Sequence, residues 1–190
     1  MKNISKKTAE NEGLGSFFYI GLVGMLILIA GVLLQPGSLL QKSLFLLGAV
    51  IMTMVALQNK QKMLSALQII IVLGNVFSFF PSIEGPIKYG ILVGASLIGV
   101  TYLVLTKYYQ EDKFGLVGSC GLLMLAVGFA TDAVTYPLYF GFLLGVGSLL
   151  VAAYSFTDYY YHKNRTALIW VILNIVFAIS PLLMVVSILR

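Results

Sequence analysis

With 190 residues, 59% of them hydrophobic and 10% charged, and a mean hydropathy of +0.98, the chain is too apolar for a water-soluble core of its size. A bilayer is the solvent that this composition predicts. The formal charge of +5 does not point to nucleic acid, because the basic residues are spread over short segments between apolar runs and form no single basic surface.

In chain order, a polar tail of residues 1–13 precedes seven charge-free runs: Leu14 to Leu34, Ser43 to Leu57, Met63 to Ile83, Tyr89 to Thr106, Phe114 to Thr131, Ala133 to Thr157 and Thr166 to Leu189. Hydrocarbon about 30 Å thick needs roughly 20 helical residues at about 1.5 Å each, and the runs approach or exceed that length. The second is short, and Lys42 with the residues before it extends the helix by snorkelling. The first is longer than the core of a cleavable signal and lacks a small-residue cleavage pattern, so it reads as a retained helix. The predicted class is an all-α integral membrane protein with seven transmembrane helices. If the N-terminus is cytoplasmic, that side holds Lys2, Lys6, Lys7, Lys60, Lys62, Lys107, Lys113, Lys163 and Arg165, against Lys42, Lys88 and Arg190 opposite. Basic residues near helix ends resist translocation, which predicts the N-terminus inside and the C-terminus outside; the expected location is a prokaryotic cell membrane.

The runs repeat one another. Gly21-Leu22-Val23-Gly24 in the first matches Gly115-Leu116-Val117-Gly118 in the fifth, and Leu46-Leu47-Gly48 in the second matches Leu143-Leu144-Gly145 in the sixth. In the third and seventh, Ile69, Leu73, Val76-Phe77 and Pro81 match Ile169, Leu173, Val176-Phe177 and Pro181. An even number of crossings separates the copies, so they point the same way: two parallel three-helix repeats joined by a linker helix. The expected organisation is bundle one over residues 14–83, the linker helix over 84–107 and bundle two over 108–190. In the linker, Gly90, Gly94, Ala95 and Gly99 form a small-residue ladder suited to close packing in lipid.

This three-plus-one-plus-three order resembles the SWEET sugar transporters and the Pnu vitamin transporters over about residues 14 to 189. The chain lacks the Pro-Gln dipeptide of the SWEET group, having Gln35-Pro36 reversed, and Trp170 is its only tryptophan where the Pnu group is Trp-rich. The inside N-terminus also runs opposite to the usual SWEET orientation. The resemblance implies a mid-membrane substrate site with an asparagine from each bundle and an aromatic ring beside them, roles that Asn75, Asn174 and Trp170 match.

The residues point to related positions by spacing alone. Ser65, Gln68, Asn75, Ser78 and Ser82 share one face of the third helix, and a polar stripe turns away from lipid toward other helices or a water-filled pathway. This places Gln68 and Ser78 along a route past Asn75. Trp170, Asn174, Phe177 and Pro181 likewise share a face of the seventh helix. Alignment through Val76-Phe77 sets Gly74, not Asn75, opposite Asn174, a mismatch of about 100°. Neutral amides beside a ring suit an uncharged polar solute such as a sugar, nucleoside or vitamin.

No Asp, Glu, Lys, Arg or His interrupts the runs, which argues against an embedded proton relay, a voltage sensor or a retinal lysine. Cys120, the only cysteine, forms no disulfide or thiolate cluster and reads as a packing residue. His162 beside Asp158 and Tyr159 to Tyr161 is too sparse a ligand set for a metal and reads as an interfacial belt. Asn164-Arg165-Thr166 is formally a glycosylation acceptor on the predicted cytoplasmic side. No nucleophile shares a run with a base, so no enzyme, cofactor or metal is expected. The expectation is a facilitator for a small uncharged solute, alone or as a homo-oligomer. The alternative is a non-transporting scaffold or assembly subunit with a membrane partner protein.

Overall fold

The computed structural model describes residues 2–34, 38–80, 82–131 and 133–190, with side chains from Phe17 onward except those of residues 110 and 111. Gln35, Pro36, Pro81 and Asp132 lie outside it. The described residues form eight helices: α1 (Lys2–Val32), α2 (Leu39–Gln58), α3 (Lys62–Ser78), α4 (Gly85–Leu105), α5 (Tyr108–Glu111), α6 (Gly115–Ala130), α7 (Pro137–His162) and α8 (Arg165–Leu189). Four of them, α2, α4, α7 and α8, are long and apolar enough to cross a bilayer. Phe17–Val32 of α1, together with α3 and α6, are shorter apolar helices. The expected tail of residues 1–13 is continuous with α1, which starts at Lys2.

Local chemistry sets the boundaries. Ser38 caps α2 by accepting from the Gln41 amide at 3.2 Å, and Asn164 caps α8 by accepting from the Thr166 amide at 3.2 Å. Pro86 and Pro137 open α4 and α7, where a missing N–H costs nothing. Lys60, Lys107 and Lys163 stop α2, α4 and α7 in the left-handed region, with φ of 55°, 56° and 55°. The end of the molecule carrying these three lysines, where α1, α3, α6 and α8 begin, is called the near end.

Short turns make successive long helices antiparallel, and side-chain packing closes six of them into a ring. The order is α1, α2, α3, α6, α7, α8 and back to α1. Its two seams are parallel pairs. At one, Ser119 of α6 lies 3.6 Å from the Met63 sulfur of α3, and a Cβ on Gly74 would meet Phe129 at 3.7 Å. At the other, a Cβ on Gly21 of α1 would meet Ile169 of α8 at 3.0 Å. Helix α4 lies outside the ring across the α3–α6 seam, with α5 beside it, while the α8–α1 seam has no such cover among the described residues.

Two crossings bring glycine against glycine. A Cβ on Gly48 would come within 3.2 Å of the Gly24 carbonyl oxygen, and one on Gly121 within 2.8 Å of the Gly147 carbonyl oxygen. Gly145, which the sequence matches to Gly48, packs on Leu182 of α8 and not on α6, so these two glycines occupy different settings. The linker ladder also differs from expectation. Helix α4 buries Leu92, Ser96 and Leu103, and Gly99 rests on Ala66, but nothing lies within 4 Å of a Cβ on Gly90 or Gly94. Cys120 is exposed on the outside of α6 and takes no part in the core.

The near half is the densest region. Met52, Ala56, Met63, Leu64, Leu67, Leu122, Val151 and Trp170 have no accessible surface there. The outer surface is apolar, with Leu33, Ile98, Leu105 and Val134 each more than 70% exposed. Contiguous apolar surface on this scale is what a membrane or a partner covers.

Candidate functional site

Above that dense layer, toward the far end, the ring holds a partly open cavity of about 140 Å³. Every ring helix contributes to its wall and α4 does not. Leu28 of α1 and Leu125 of α6 face it from one pair of helices, Phe45 of α2 and Leu144 of α7 from another. Its polar groups are Asn75 of α3, Asn174 of α8 and the Ser148 hydroxyl of α7. Phe129 and Phe177 add aromatic surface.

The two amides are held in similar ways. Asn174 donates from Nδ2 to the Trp170 carbonyl oxygen one turn earlier at 2.8 Å. Asn75 donates from Nδ2 to the Phe45 carbonyl oxygen at 3.4 Å. Neither Oδ1 accepts a hydrogen bond within the described residues. Because a backbone carbonyl can only accept, these bonds fix which amide atom is nitrogen and leave each oxygen to a guest. Pro181, also on the wall, has no N–H to donate to the Phe177 carbonyl four residues before it.

The other residues singled out by sequence stand apart from the cavity. Ser78 donates to the Asn75 carbonyl oxygen at 2.6 Å and so stiffens the end of α3. Trp170 is fully buried one turn beneath Asn174, with its Nε1 unpartnered. Gln68 is 1% exposed in the dense layer, with Oε1 unpartnered. Ser65 donates back to the Gln61 carbonyl oxygen at 2.9 Å, and Ser82 lies beyond the end of α3. Phe45, Phe129 and Ser148 are wall residues that the sequence reading passed over. Ser148 is the one polar residue in the middle of α7, and that was the available signal.

The near end carries a separate polar cluster. Asp158 accepts from Gln61 Nε2 at 3.3 Å and from Asn164 Nδ2 at 3.1 Å, and its other oxygen lies 3.0 Å from His162 Nδ1. Thr166 also donates to the Asn164 side chain at 2.6 Å, so the sequon asparagine is fully engaged. Tyr108 of α5 hydrogen-bonds Asp112 at 3.0 Å and the Tyr154 hydroxyl, and Tyr109 bonds Ser119 at 2.6 Å. Burial pushes the Tyr108 phenol above its ordinary value. No group of three or more His, Cys, Asp or Glu suited to a metal occurs among the described residues. The chain matches no protein-family model, no curated protein and no solved structure.

Proposed function

We propose that the chain crosses a bilayer seven times and passes a small uncharged solute through the middle of its six-helix ring, with Asn75 and Asn174 as the binding pair. The observation that carries this reading is one cavity walled by all six ring helices, with a free amide oxygen from each side. The amide oxygens, the second N–H of each amide and the Ser148 hydroxyl offer both acceptors and donors, so the solute exchanges hydrogen bonds along one edge and stacks an apolar face on Phe45, Phe129 or Phe177. A dry apolar site of about 150 Å³ holds a benzene-sized guest, which sets the scale of solute for this cavity. A single-ring molecule fits that scale.

We further infer that the ring is an internal duplication, in a register shifted from the one suggested by the short glycine matches. Gly21, Gly24, Leu28 and Gly31 of α1 stand at one constant separation from Gly118, Gly121, Leu125 and Gly128 of α6. Phe45, Gly48 and Asn75 stand at another from Leu144, Gly147 and Asn174. Two features support this register: Gly24 meets Gly48 as Gly121 meets Gly147, and Leu28/Leu125, Phe45/Leu144 and Asn75/Asn174 all face the cavity. The contact order of the ring also maps onto itself when α1–α3 and α6–α8 are exchanged.

The test is uptake into vesicles containing the purified protein, over a panel of single-ring sugars, polyols and heterocycles. Asn75→Ala and Asn174→Ala should each lower uptake about tenfold, the worth of one lost hydrogen bond, with the melting temperature nearly unchanged. Loss of stability in step with activity would instead make the asparagines structural. A scaffold role is favoured by the open Gly90 and Gly94 side of α4, which a partner helix could approach closely. That role predicts no uptake from the panel and a membrane protein co-purifying through α4.

A further inference from the structure

The described side chains with buried, unpartnered polar atoms share one location. They are Asn59 (Nδ2), Gln61 (Oε1), Gln68 (Oε1), Ser155 (Oγ) and Trp170 (Nε1). None lines the cavity, and all lie in the α2–α3 turn or within about two turns of the near ends of α3, α7 and α8. A buried polar atom without a partner forgoes most of a hydrogen bond, and native cores contain few of them. Gln68, Ser155 and Trp170 lie in the buried layer, and Asn59 and Gln61 lie in the turn beside it, so the near end gathers polar groups that the apolar core does not use. They include both donors and acceptors, so water or a neutral polar solute could satisfy them all.

The same end is where the two halves of the ring are bonded. Among the described residues, the side-chain hydrogen bonds joining α1–α3 to α6–α8 are Gln61 to Asp158 and the weak Ser119-to-sulfur contact with Met63, both at the near end. Asp158 is the hub. Its side chain is 13% exposed, and it holds the α2–α3 turn through Gln61, the N-cap of α8 through Asn164 and the last turn of α7 through His162.

We propose that the near end is a gate latched by Asp158, and that Asn59, Gln61, Gln68, Ser155 and Trp170 line the passage it opens for a neutral solute and its water. The closed gate is the state seen here: cavity on one side, buried layer on the other. The inference rests on the transport reading, and it extends the solute's path from the asparagine pair to the near surface.

Thiol labelling tests the gate without any solute. In the full chain with Cys120→Ser, the single-thiol variants Ser155→Cys in the passage and Ser148→Cys in the cavity are reacted in vesicles with a membrane-impermeant maleimide added from either side. With Asp158 intact, Ser155→Cys should react slowly from both sides. Adding Asp158→Ala should raise its rate from the near side about tenfold, the effect of losing one charge-assisted hydrogen bond, and lower that of Ser148→Cys from the far side. If Asp158→Ala does not fold, Gln61→Ala cuts the same link with a smaller rise of about threefold. An unchanged Ser155→Cys rate in a folded latch variant overturns the proposal, even if uptake by the native protein is robust. A gate that opens in labelling while no solute is ever taken up sustains the gate and removes the transport reading.

Discussion

At the scale of single residues, close packing makes glycine indispensable at some positions and idle at others. Gly121 faces the Gly147 carbonyl oxygen, a backbone atom that cannot move aside, with the added Cβ only 2.8 Å away. Gly121→Ala should therefore cost about 1–3 kcal/mol, read as a lower melting temperature in detergent. Gly94→Ala meets nothing within 4 Å and should gain up to about 1 kcal/mol from helix propensity alone. Both residues sit in apolar runs among many glycines, so sequence treats them alike, while of the α4 ladder Ala95 and Gly99 pack on the described helices and Gly90 and Gly94 do not. The asparagines were legible for the opposite reason. A polar amide in a long apolar run has few places to go, and both lie on the cavity wall. Trp170 was less legible, because spacing shows a shared face but not the depth at which the cavity ends.

At the scale of elements, the single-turn α5 acts as a clasp between α4 and the near end of α6 and α7. Its Tyr108 phenol is held neutral by burial, so its folded value lies above the ordinary one of about 10. The stability it lends is complete below that ordinary value and is lost as pH rises above it. The melting temperature should therefore fall from about pH 10 upward, and Tyr108→Phe should flatten part of that fall. In α8, Pro181 leaves the Phe177 carbonyl without its helical partner, so Pro181→Ala should raise thermal stability by up to about 3 kcal/mol while slowing uptake. Helix boundaries were largely readable from charge, because Lys60, Lys107 and Lys163 both flank apolar runs and terminate helices. The continuation of α1 through residues 2–13 was not, since a polar segment carries no apolar period to announce a helix.

At the scale of the whole molecule, the apolar runs of the ring helices hold no Asp, Glu, Lys, Arg or His. Uptake should accordingly be indifferent to an imposed proton gradient or membrane potential, which vesicles with set internal pH and potassium can check. The alternation of helix directions was readable from the charge map. The order in which helices neighbour one another was not, because it depends on side-chain interlock at the seams. The ring also limits how the chain could be rewired. Helices α1 and α8 are parallel neighbours, so the start of one and the end of the other lie at opposite ends of the molecule. A circular permutant that joins them by a short flexible loop cannot form. It would need a further crossing segment laid over the α8–α1 seam, in the position that α4 occupies over the other seam, before the chain could be reopened elsewhere.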